Sequence, residues 1–254
     1  ITRSPLERGQ FLHQLFEAFF HDWQRRGHGR ITPATLGEAR ALFAAIAEPA
    51  LALLAPAEAG IERARLFGSA VSAGIAERVF AIEAERPVDI RERLMEYALD
   101  GVFTFPAGDG STRDVRLRAK IDRVDLLADG TFRLIDYKTR FVPDRKVALQ
   151  LPVYSQCVRE RLSREQGRDV PPSEAMYLSF EGDKGVVALE ERGKSIEDLV
   201  EAASHRLVAA LDGIAAGHFP PRPYLRSLCG MCAFTTVCRD RGAGSRETEA
   251  GADE

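Results

Sequence analysis

The most constraining feature of this sequence is a segment in which apolar and charged residues alternate without a break. In Val115–Asp122 every odd position is apolar and every even position is charged. Because successive side chains of a β-strand point to opposite faces, this pattern predicts a strand with one buried and one solvated face. The solvated face carries Arg116, Arg118 and Lys120, and it ends in the carboxylate of Asp122.

The next predicted strand, over residues 131–138, places an acid and a base side by side. Phe132, Leu134, Asp136 and Lys138 fall on one face of it, because side chains repeat with a period of two. The two charged groups therefore project together at the end of an otherwise apolar strand face.

The turn between these two strands decides whether Asp122 joins Asp136. A two-residue turn at 129–130 leaves the two acids on opposite faces of the sheet. A three-residue loop over 128–130, with Gly130 in the left-handed conformation, places Asp122 directly across from Asp136. Three-residue hairpin loops that end in such a glycine are common, and we expect this one.

Two carboxylates at cross-strand distance repel each other, so this arrangement calls for a hard divalent cation between them. Lys138 could then position or activate a water molecule, or stabilise charge on a phosphate. Taken alone, however, the pattern fits a ladder of ion pairs on an exposed sheet face better than it fits a metal site.

The elements around these strands indicate an α/β protein. Residues 1–90 are expected to be mainly helical, with helices near 33–54 and 61–84, and this order predicts a core sheet with a helical N-terminal lobe. The other expected elements are strands at 96–105, 115–127, 131–138, 174–180 and 184–190 and helices at 144–162 and 195–216. The expected divisions are the helical lobe at 1–95, the core at 96–220, a cysteine-rich segment at 221–241 and a disordered tail at 242–254.

Length and composition exclude several classes of protein. A chain of 254 residues buries roughly 70–75% of its unfolded surface, so a core requires neither disulfide nor metal. The most apolar stretch, residues 50–57, is far shorter than the roughly 20 residues that span a membrane, and the N-terminus lacks the apolar core of a secretory signal. A formal charge of −3 neither indicates nor excludes nucleic-acid binding. Because the first residue is Ile, we take the chain to be a piece of a longer protein.

The cysteines favour a cytoplasmic protein with a metal or cluster site. Of the four cysteines, three lie within ten residues, which does not resemble an extracellular disulfide framework. The spacing Cys229-x-x-Cys232-x5-Cys238 suits zinc or an iron–sulfur cluster. Three reduced, buried cysteines are the alternative.

Three segments, taken in order, resemble the motifs of one nuclease superfamily. They are Ile121–Asp125 (IDRVD), Leu134–Thr139 (LIDYKT) and Gln150–Tyr154 (QLPVY). Over about residues 8–239 the chain resembles the PD-(D/E)XK nuclease superfamily, most of all the nuclease domains of RecB- and AddB-type helicase–nucleases and related CRISPR-adaptation exonucleases. The resemblance implies a restriction-endonuclease-like core, in which helices flank a mixed central β-sheet, and a metal-dependent nuclease.

The resemblance also assigns roles to residues at the strand ends. It implies that Asp122 and Asp136 bind the metal, that the backbone carbonyl of Tyr137 is a third ligand, and that Lys138 is the catalytic lysine. The basic strand 116–120 would help to hold phosphates.

The Gln-x-x-x-Tyr motif of the family falls on Gln150 and Tyr154. Four residues apart, they share one helix face and would contact the DNA backbone or order the site. Ala119 stands where such sequences often have glycine, and we expect no loss of chemistry from this difference.

Two further residues are candidates for the metal site. His13, in the segment RGQFLH, matches the N-terminal helix motif of the family, where a histidine approaches the metal. Alone, a helix histidine beside an apolar stripe is more often structural, but the other motifs in order favour the active site. Glu96, at the expected start of the first strand, fits equally a further acid near the metal and a surface residue.

By the same resemblance, the cysteine triplet favours a [4Fe–4S] cluster, because AddB-type nucleases combine three C-terminal cysteines with one far upstream. No cysteine of this chain precedes Cys157, whereas the first cysteine of the family precedes the helix of His13. We therefore expect the cluster site to be incomplete in this fragment. A zinc site, with His218 as a fourth ligand, is the alternative.

The leading hypothesis is a Mg²⁺- or Mn²⁺-dependent DNA nuclease that is expected to act as an exonuclease and that, as the resemblance implies, leaves a 5′-phosphate. The expected partners are DNA and a helicase, as a subunit or as a domain of the same parent chain, with no membrane. The alternatives are a DNA-binding scaffold with a degenerate catalytic centre and a cysteine–metal structural module. Intact Asp122, Asp136 and Lys138 argue against the first alternative, and the full order of motifs argues against the second.

Overall fold

The computed structural model describes residues 3–86, 88–182, 184–220, 223, 226–235, 237 and 238. The chain divides into two compact units, residues 1–208 and residues 209–254. The expected disordered tail at 242–254 lies outside the described residues. None of the helices that the structure describes is both long and apolar enough to cross a bilayer.

The described elements alternate as an α/β protein requires. They are α1 (Pro5–Arg25), α2 (Leu36–Ala52), α3 (Pro56–Phe67), β1 (Gly68–Ser69), β2 (Ser72–Ala73), α4 (Ile75–Glu85), β3 (Ile90–Pro106), β4 (Thr112–Leu127), β5 (Phe132–Lys138), α5 (Gln150–Gln166), β6 (Pro172–Ser179), β7 (Val186–Ala188) and α6 (Ile196–Ala215), followed by a short 3₁₀ helix at Arg226–Met231. The predicted α/β class is confirmed.

Helix α1 begins with a capping box and buries an aromatic face. The Ser4 hydroxyl accepts a hydrogen bond from the Glu7 amide, and the Glu7 carboxylate accepts one from the Ser4 amide. Pro5 occupies the first turn, where no N–H is needed. The buried face packs with α2 and α4 in a cluster that includes Phe16, Phe19, Phe20, Phe43 and Phe80.

The central sheet is mixed, as predicted. Its five strands lie in the order β3-β4-β5-β6-β7, with β5 and β6 parallel and the other neighbours antiparallel. A parallel pair needs a crossover, and α5 supplies it, so the first turn of α5 lies near the end of β5. Helices α1 and α5 pack in two separate apolar cores.

The register between β4 and β5 is the predicted one. A three-residue loop joins the two strands and ends at Gly130, whose φ is +89°. The last backbone pair of the ladder joins Arg123 to Ile135. The next position along each strand therefore places Asp122 opposite Asp136.

Some predicted boundaries are wrong. The first strand of the core begins at Ile90 rather than at 96, because residues 90–95 pair with the second half of β4. The helix after β5 begins at Gln150 rather than at 144, because the carbonyl of Asp144 closes a turn with the amides of Val147 and Ala148.

The predicted helix at 61–84 is also wrong, since it consists of two helices. The two-residue strands β1 and β2 form a tight hairpin between α3 and α4. Gly68 has φ +81°, and a Cβ there would lie 2.3 Å from the carbonyl oxygen of Ser72. The chain can therefore turn only because residue 68 is glycine.

The long strands β3 and β4 change faces partway along their length. Arg123, opposite Met95, lies on the α1 side, 4.1 Å from the centroid of the Phe20 ring. Ile121 and its partner Tyr97 pack instead on the α5 side. Residues two apart in a regular strand share one face, so the alternation reverses at the position between these pairs.

The reversal occurs at Glu96 and Asp122. Among the described residues other than glycine, Glu96 alone has a positive φ, at +50°. A residue in this region is strained and turns the strand much as a β-bulge does. Both carboxylates are half-buried, and neither belongs to an apolar core.

A buried ion network lies on the α1 side of β4 and β5. Arg123 donates to both carboxylate oxygens of Asp125, at 2.7 and 2.8 Å, and to Glu83 at 2.8 Å, and Arg133 donates to Asp125 at 2.6 Å. Burial by itself raises the pKa of Asp125, but Arg123 and Arg133 lower it to about 2. Asp125, although it ends the IDRVD segment, is therefore structural.

We expect Asp125→Ala to lower the free energy of unfolding by about 3–5 kcal/mol, because Arg123 and Arg133 stay buried with one carboxylate fewer. Asp169→Ala is the matched control, since Asp169 also accepts two hydrogen bonds from one arginine, Arg159, but its side chain is 58% exposed. An exposed pair contributes about 1 kcal/mol or less. Urea unfolding followed by circular dichroism measures both variants, and equal losses would show that burial of the network does not matter.

Candidate metal and catalytic site

Three acids form a row across three neighbouring strands. Glu96 of β3 lies opposite Asp122 of β4, between the pairs that flank them, and Asp122 lies opposite Asp136 of β5. Side chains opposed in this way are close enough that like charges destabilise the sheet. The row is therefore stable only with cations or hydrogen-bond donors around it.

His13, Glu96 and Asp122 form a set of candidate metal ligands. One ligand atom from each lies within 4.8 Å of the other two, and no other group of three such residues meets this criterion in the described part of the chain. His13 Nδ1 lies 3.2 Å from Asp122 Oδ1, and all three side chains are half-buried. Carboxylate oxygens with an imidazole nitrogen suit a divalent metal, so the donors present fit the cation that such a site would need.

Helix α1 positions His13. The histidine lies three residues before the buried Phe16, so the two share a helix face. Its ring meets Tyr137 and Phe180 edge-on, with ring centroids 5.8 and 6.1 Å apart. The aromatic core that fixes α1 therefore also fixes the imidazole.

The electrostatics of His13 reflect the acids around it. Burial opposes its protonation, but the hydrogen bond and charge of Asp122, with the charges of Asp136 and Glu96, raise the pKa of His13 above its ordinary value. The site thus attracts positive charge.

Lys120 forms an ion pair with the carboxylate of Glu96. Both residues line a cleft whose other wall is the beginning of α1, including Gln10 and Gln14. The donor set therefore opens to a surface cleft, as a site that receives a ligand must.

Asp136, Lys138 and Gln150 form a second group beside the first. Lys138 Nζ lies 2.6 Å from Asp136 Oδ2 and donates to Gln150 Oε1 at 3.1 Å, while Gln150 Nε2 donates to Asp136 Oδ1 at 2.7 Å. Gln150 reaches both partners because it begins α5 near the end of β5. Burial and the charge of Asp122 raise the pKa of Asp136 to about 6, although Lys138 and His13 lower it.

A backbone amide holds Asp122 in place. Asp122 Oδ2 accepts a hydrogen bond from the Tyr137 N–H at 2.7 Å, just beyond the last backbone pair of β4 and β5. The Asp122 side chain thus takes the place of the next backbone hydrogen bond between β4 and β5, beyond the point where the backbone pairing ends. Metal binding by the Tyr137 carbonyl stays a prediction.

The remaining predicted residues of unit 1–208 do not join this cluster directly. Tyr154 is half-buried against the α5-side core. Arg116 and Arg118 lie on the exposed face of β4. Of the basic strand, Lys120 reaches the cluster, through its ion pair with Glu96.

The cysteine triplet lies in the second unit, residues 209–254. Cys229 and Cys238 are half-buried and Cys232 is exposed. The amide of Cys232 donates to the carbonyl of Cys229 at 3.3 Å, which closes a turn between them. Within the described residues, the three sulfurs are not gathered within 4.8 Å of one another.

Cys157 is a poor candidate for the fourth cluster ligand. Its thiol is fully buried in the α5-side core, and this burial raises the pKa of Cys157 to about 12. Thiolate, not thiol, binds metal, so burial opposes that role.

Sequence reasoning missed the reversal of β3 and β4, although a signal was present. In β4 the apolar residues are odd-numbered from Val115 to Ile121, and the next two, Val124 and Leu126, are even-numbered. In β3 the even-numbered Leu94 precedes the odd-numbered Tyr97 and Leu99. In both strands the change between odd and even positions occurs at the same level of the sheet. This signal would have decided between the two interpretations of Glu96 in favour of the site.

Comparisons with known proteins were made for the whole chain. A search of curated proteins found no significant match. Eight chains of solved structures match, and one of them, titled "Crystal structure of SSO0001", is 15% identical over 83% of this chain and 82% of that chain, with a TM-score of 0.34. A likeness this weak carries no argument. A family model described as the PD-(D/E)XK nuclease superfamily matches residues 2–239.

This match covers nearly the whole chain, and it agrees with the mixed sheet and with the acids and lysine at its strand ends. Members of this superfamily are nucleases that use divalent metals, which the donor set of His13, Glu96 and Asp122 suits. The chain belongs to the PD-(D/E)XK nuclease superfamily.

Proposed function

We propose that this chain is a Mg²⁺- or Mn²⁺-dependent deoxyribonuclease that hydrolyses phosphodiester bonds. The observation that carries the proposal is the row of Glu96, Asp122 and Asp136, with Lys138 held at its end. A surface ladder of ion pairs would be solvated, whereas here Asp136 is buried and the other two acids are half-buried. Such a concentration of acid in a cleft is typical of a site that receives a cation and a phosphate.

In this proposal, His13, Glu96, Asp122 and Asp136 hold the metal, with the Tyr137 carbonyl as a further ligand. A bound divalent cation supplies Lewis-acid stabilisation of phosphate charge and lowers the pKa of water. The residues of the chain preorganise the donors: the Tyr137 amide orients Asp122, and aromatic contacts orient His13.

Lys138 stabilises the negative charge that develops on the phosphate. Its ammonium is held by Asp136, by Gln150 and by the Tyr177 ring, whose centroid is 5.3 Å from Nζ. A cation fixed before the reaction stabilises a transition state without further reorganisation. Gln150 is a positioning residue, and the half-buried Tyr154 one turn later supports an ordering role rather than contact with DNA.

The wider role rests on the motif resemblance. We propose that the chain acts as an exonuclease within a cytoplasmic DNA-repair helicase–nuclease, with the helicase as a subunit or as a domain of the parent chain. The exposed Arg116 and Arg118 support contact with phosphates. We also propose that Cys229, Cys232 and Cys238 bind a [4Fe–4S] cluster whose fourth ligand is not the buried Cys157, with zinc as the alternative metal.

Asp136→Ala and Lys138→Ala should each lower kcat by about 10²–10³-fold, because each removes a charged group from the reacting centre. The measurement is cleavage of 5′- and 3′-labelled single- and double-stranded DNA with and without Mg²⁺, which also reports polarity. Asp169→Ala is the control, since it removes an aspartate from an ion pair outside the site. Wild-type rates in either site variant would contradict the assignment.

Glu96→Gln should weaken Mn²⁺ binding by about tenfold or more, because it removes a charged ligand. Glu17→Gln is the matched control: Glu17 lines the same cleft but does not belong to the donor set. Titration calorimetry measures both affinities without any substrate. An equal effect of the two substitutions would indicate a general field effect rather than ligation by Glu96.

An N-terminally extended protein should contain four iron and four sulfide per chain after anaerobic preparation, whereas the present chain should bind a cluster poorly. The physical reason is that three thiolates leave one iron of the cluster without a protein ligand. Metal and sulfide analysis of both proteins checks this. A full cluster in the present chain would place the fourth ligand within residues 1–254, and stoichiometric zinc in both would favour the zinc site.

A further inference from the structure

A basic groove begins beside the candidate site and lies wholly within residues 1–208. Two adjoining concavities that share Arg145 and Glu190 form it. We define the groove by its cations, which are Arg140, Arg145, Lys146, Lys184, Arg192, Lys194 and Arg206. Arg140 follows Lys138 by two residues, so the groove starts within about 7 Å of chain from the proposed catalytic lysine.

The acids that line the groove are already engaged. Glu190 lies 3.1 Å from Arg145, and Glu191 lies 2.9 Å from Lys194. The Asp144 carboxylate accepts a hydrogen bond from the backbone amide two residues later. The two glutamates are thus paired with cations, and the groove carries a net positive charge because seven cations and three acids line it.

Five cations of the groove have no such partner. No ion pair with a carboxylate that the structure describes is formed by Arg140, Lys146, Lys184, Arg192 or Arg206. Cations that line a concave surface without partners attract a polyanion, and their attraction falls with salt as bound counterions are released.

An exposed aromatic residue lies next to the groove in the chain. Phe141 stands between Arg140 and Val142, which both line the groove, and 83% of its surface is exposed. A groove that combines cations with an exposed ring is typical of proteins that bind single-stranded nucleic acid, because unpaired bases stack on the ring while the cations follow the phosphates. The bases of a duplex are already stacked on each other, so they would leave Phe141 without a partner.

We propose that the basic groove binds a single strand of DNA, that Phe141 stacks on one of its bases, and that the strand passes from there to Lys138. The inference rests on the proposed nuclease function, because it names the strand that the site receives. It assigns a substrate-binding role to Phe141, Arg140 and Lys184, none of which touches the donor set for the metal.

The test measures binding without catalysis. Fluorescence anisotropy in EDTA, with a fluorescein-labelled (dT)20, reports affinity when no divalent metal is present. Phe141→Ala should weaken binding about tenfold, and Phe141→Trp should retain the wild-type affinity, because tryptophan also stacks. Arg30→Ala, an exposed arginine outside the groove, should change nothing. Circular dichroism confirms that each variant is folded.

An abasic 20-mer separates stacking from charge, because it keeps the phosphates and lacks the bases. Phe141→Ala and the wild type should bind this oligomer equally. Arg140→Ala and Lys184→Ala should each lower the affinity for both oligomers. Each should also reduce the slope of log K against log salt concentration by about 0.7, the value for one phosphate contact on a single strand.

Three outcomes would overturn the proposal. Phe141→Ala could bind (dT)20 with the wild-type affinity, or it could lose as much affinity for the abasic oligomer as for (dT)20. The third is that the wild type binds a 20-bp duplex as tightly as (dT)20. Failure of the nuclease proposal looks different. If the wild type binds (dT)20 in the expected pattern yet cleaves no DNA with Mg²⁺, the groove assignment stands and the catalytic one fails.

Discussion

Repulsion among three carboxylates on adjacent strands is the constraint around which the site is built. Each acid is compensated by a group from a different part of the chain. Asp122 accepts a hydrogen bond from a backbone amide of β5, and Glu96 forms an ion pair with a lysine of β4. Asp136 contacts Lys138 and the side-chain amide of Gln150, at the start of α5. Because the compensating groups come from separate elements, the acids can be held together only when β3, β4, β5 and the start of α5 are assembled.

The position of the row follows from the two cores. Below the row, toward the loop at Gly130, odd-numbered residues of β4 face α1, and above it they face α5. At the level of the row, where the side chains of β3 and β4 change from one face of the sheet to the other, the residues belong to neither core. Polar side chains can lie at this level without a large loss of apolar burial. The left-handed backbone of Glu96 is the local strain that accompanies this exchange.

Much of this arrangement could be predicted from the residues. The alternation in β4, the shared face of Asp136 and Lys138 and the glycine at 130 together fixed the register, because strand periodicity and turn geometry are local properties. The beginning of β3 could not be predicted in this way. The strand contains Arg93, whose charged side chain is buried because its guanidinium donates a hydrogen bond to the Gly29 carbonyl. The backbone carbonyl of Arg93 accepts a hydrogen bond from the Gln24 side chain, and both partners are distant in sequence.

The sequence left the place of Glu96 open between the metal site and the surface for a similar reason. Its position in the row depends on pairing with β4 and on a backbone conformation that sequence patterns assign to turns rather than to strands. The roles of His13 and Gln150 came from the resemblance, since a helix residue near a strand end is brought there only by tertiary packing. Sequence alone therefore located the acids and the lysine, while the fold supplied their surroundings.

Two buried aspartates of the same sheet show how surroundings decide function. Burial raises the pKa of both, yet Asp125 has a pKa of about 2 and Asp136 one of about 6. Asp125 faces two arginines, whose combined charge outweighs its burial, so it stays ionised and can only be structural. Asp136 has one lysine and a neighbouring acid, so its negative charge is incompletely compensated. A buried acid whose charge is incompletely compensated attracts a cation, which is the physical reason for proposing a metal-binding role for Asp136 and a structural role for Asp125.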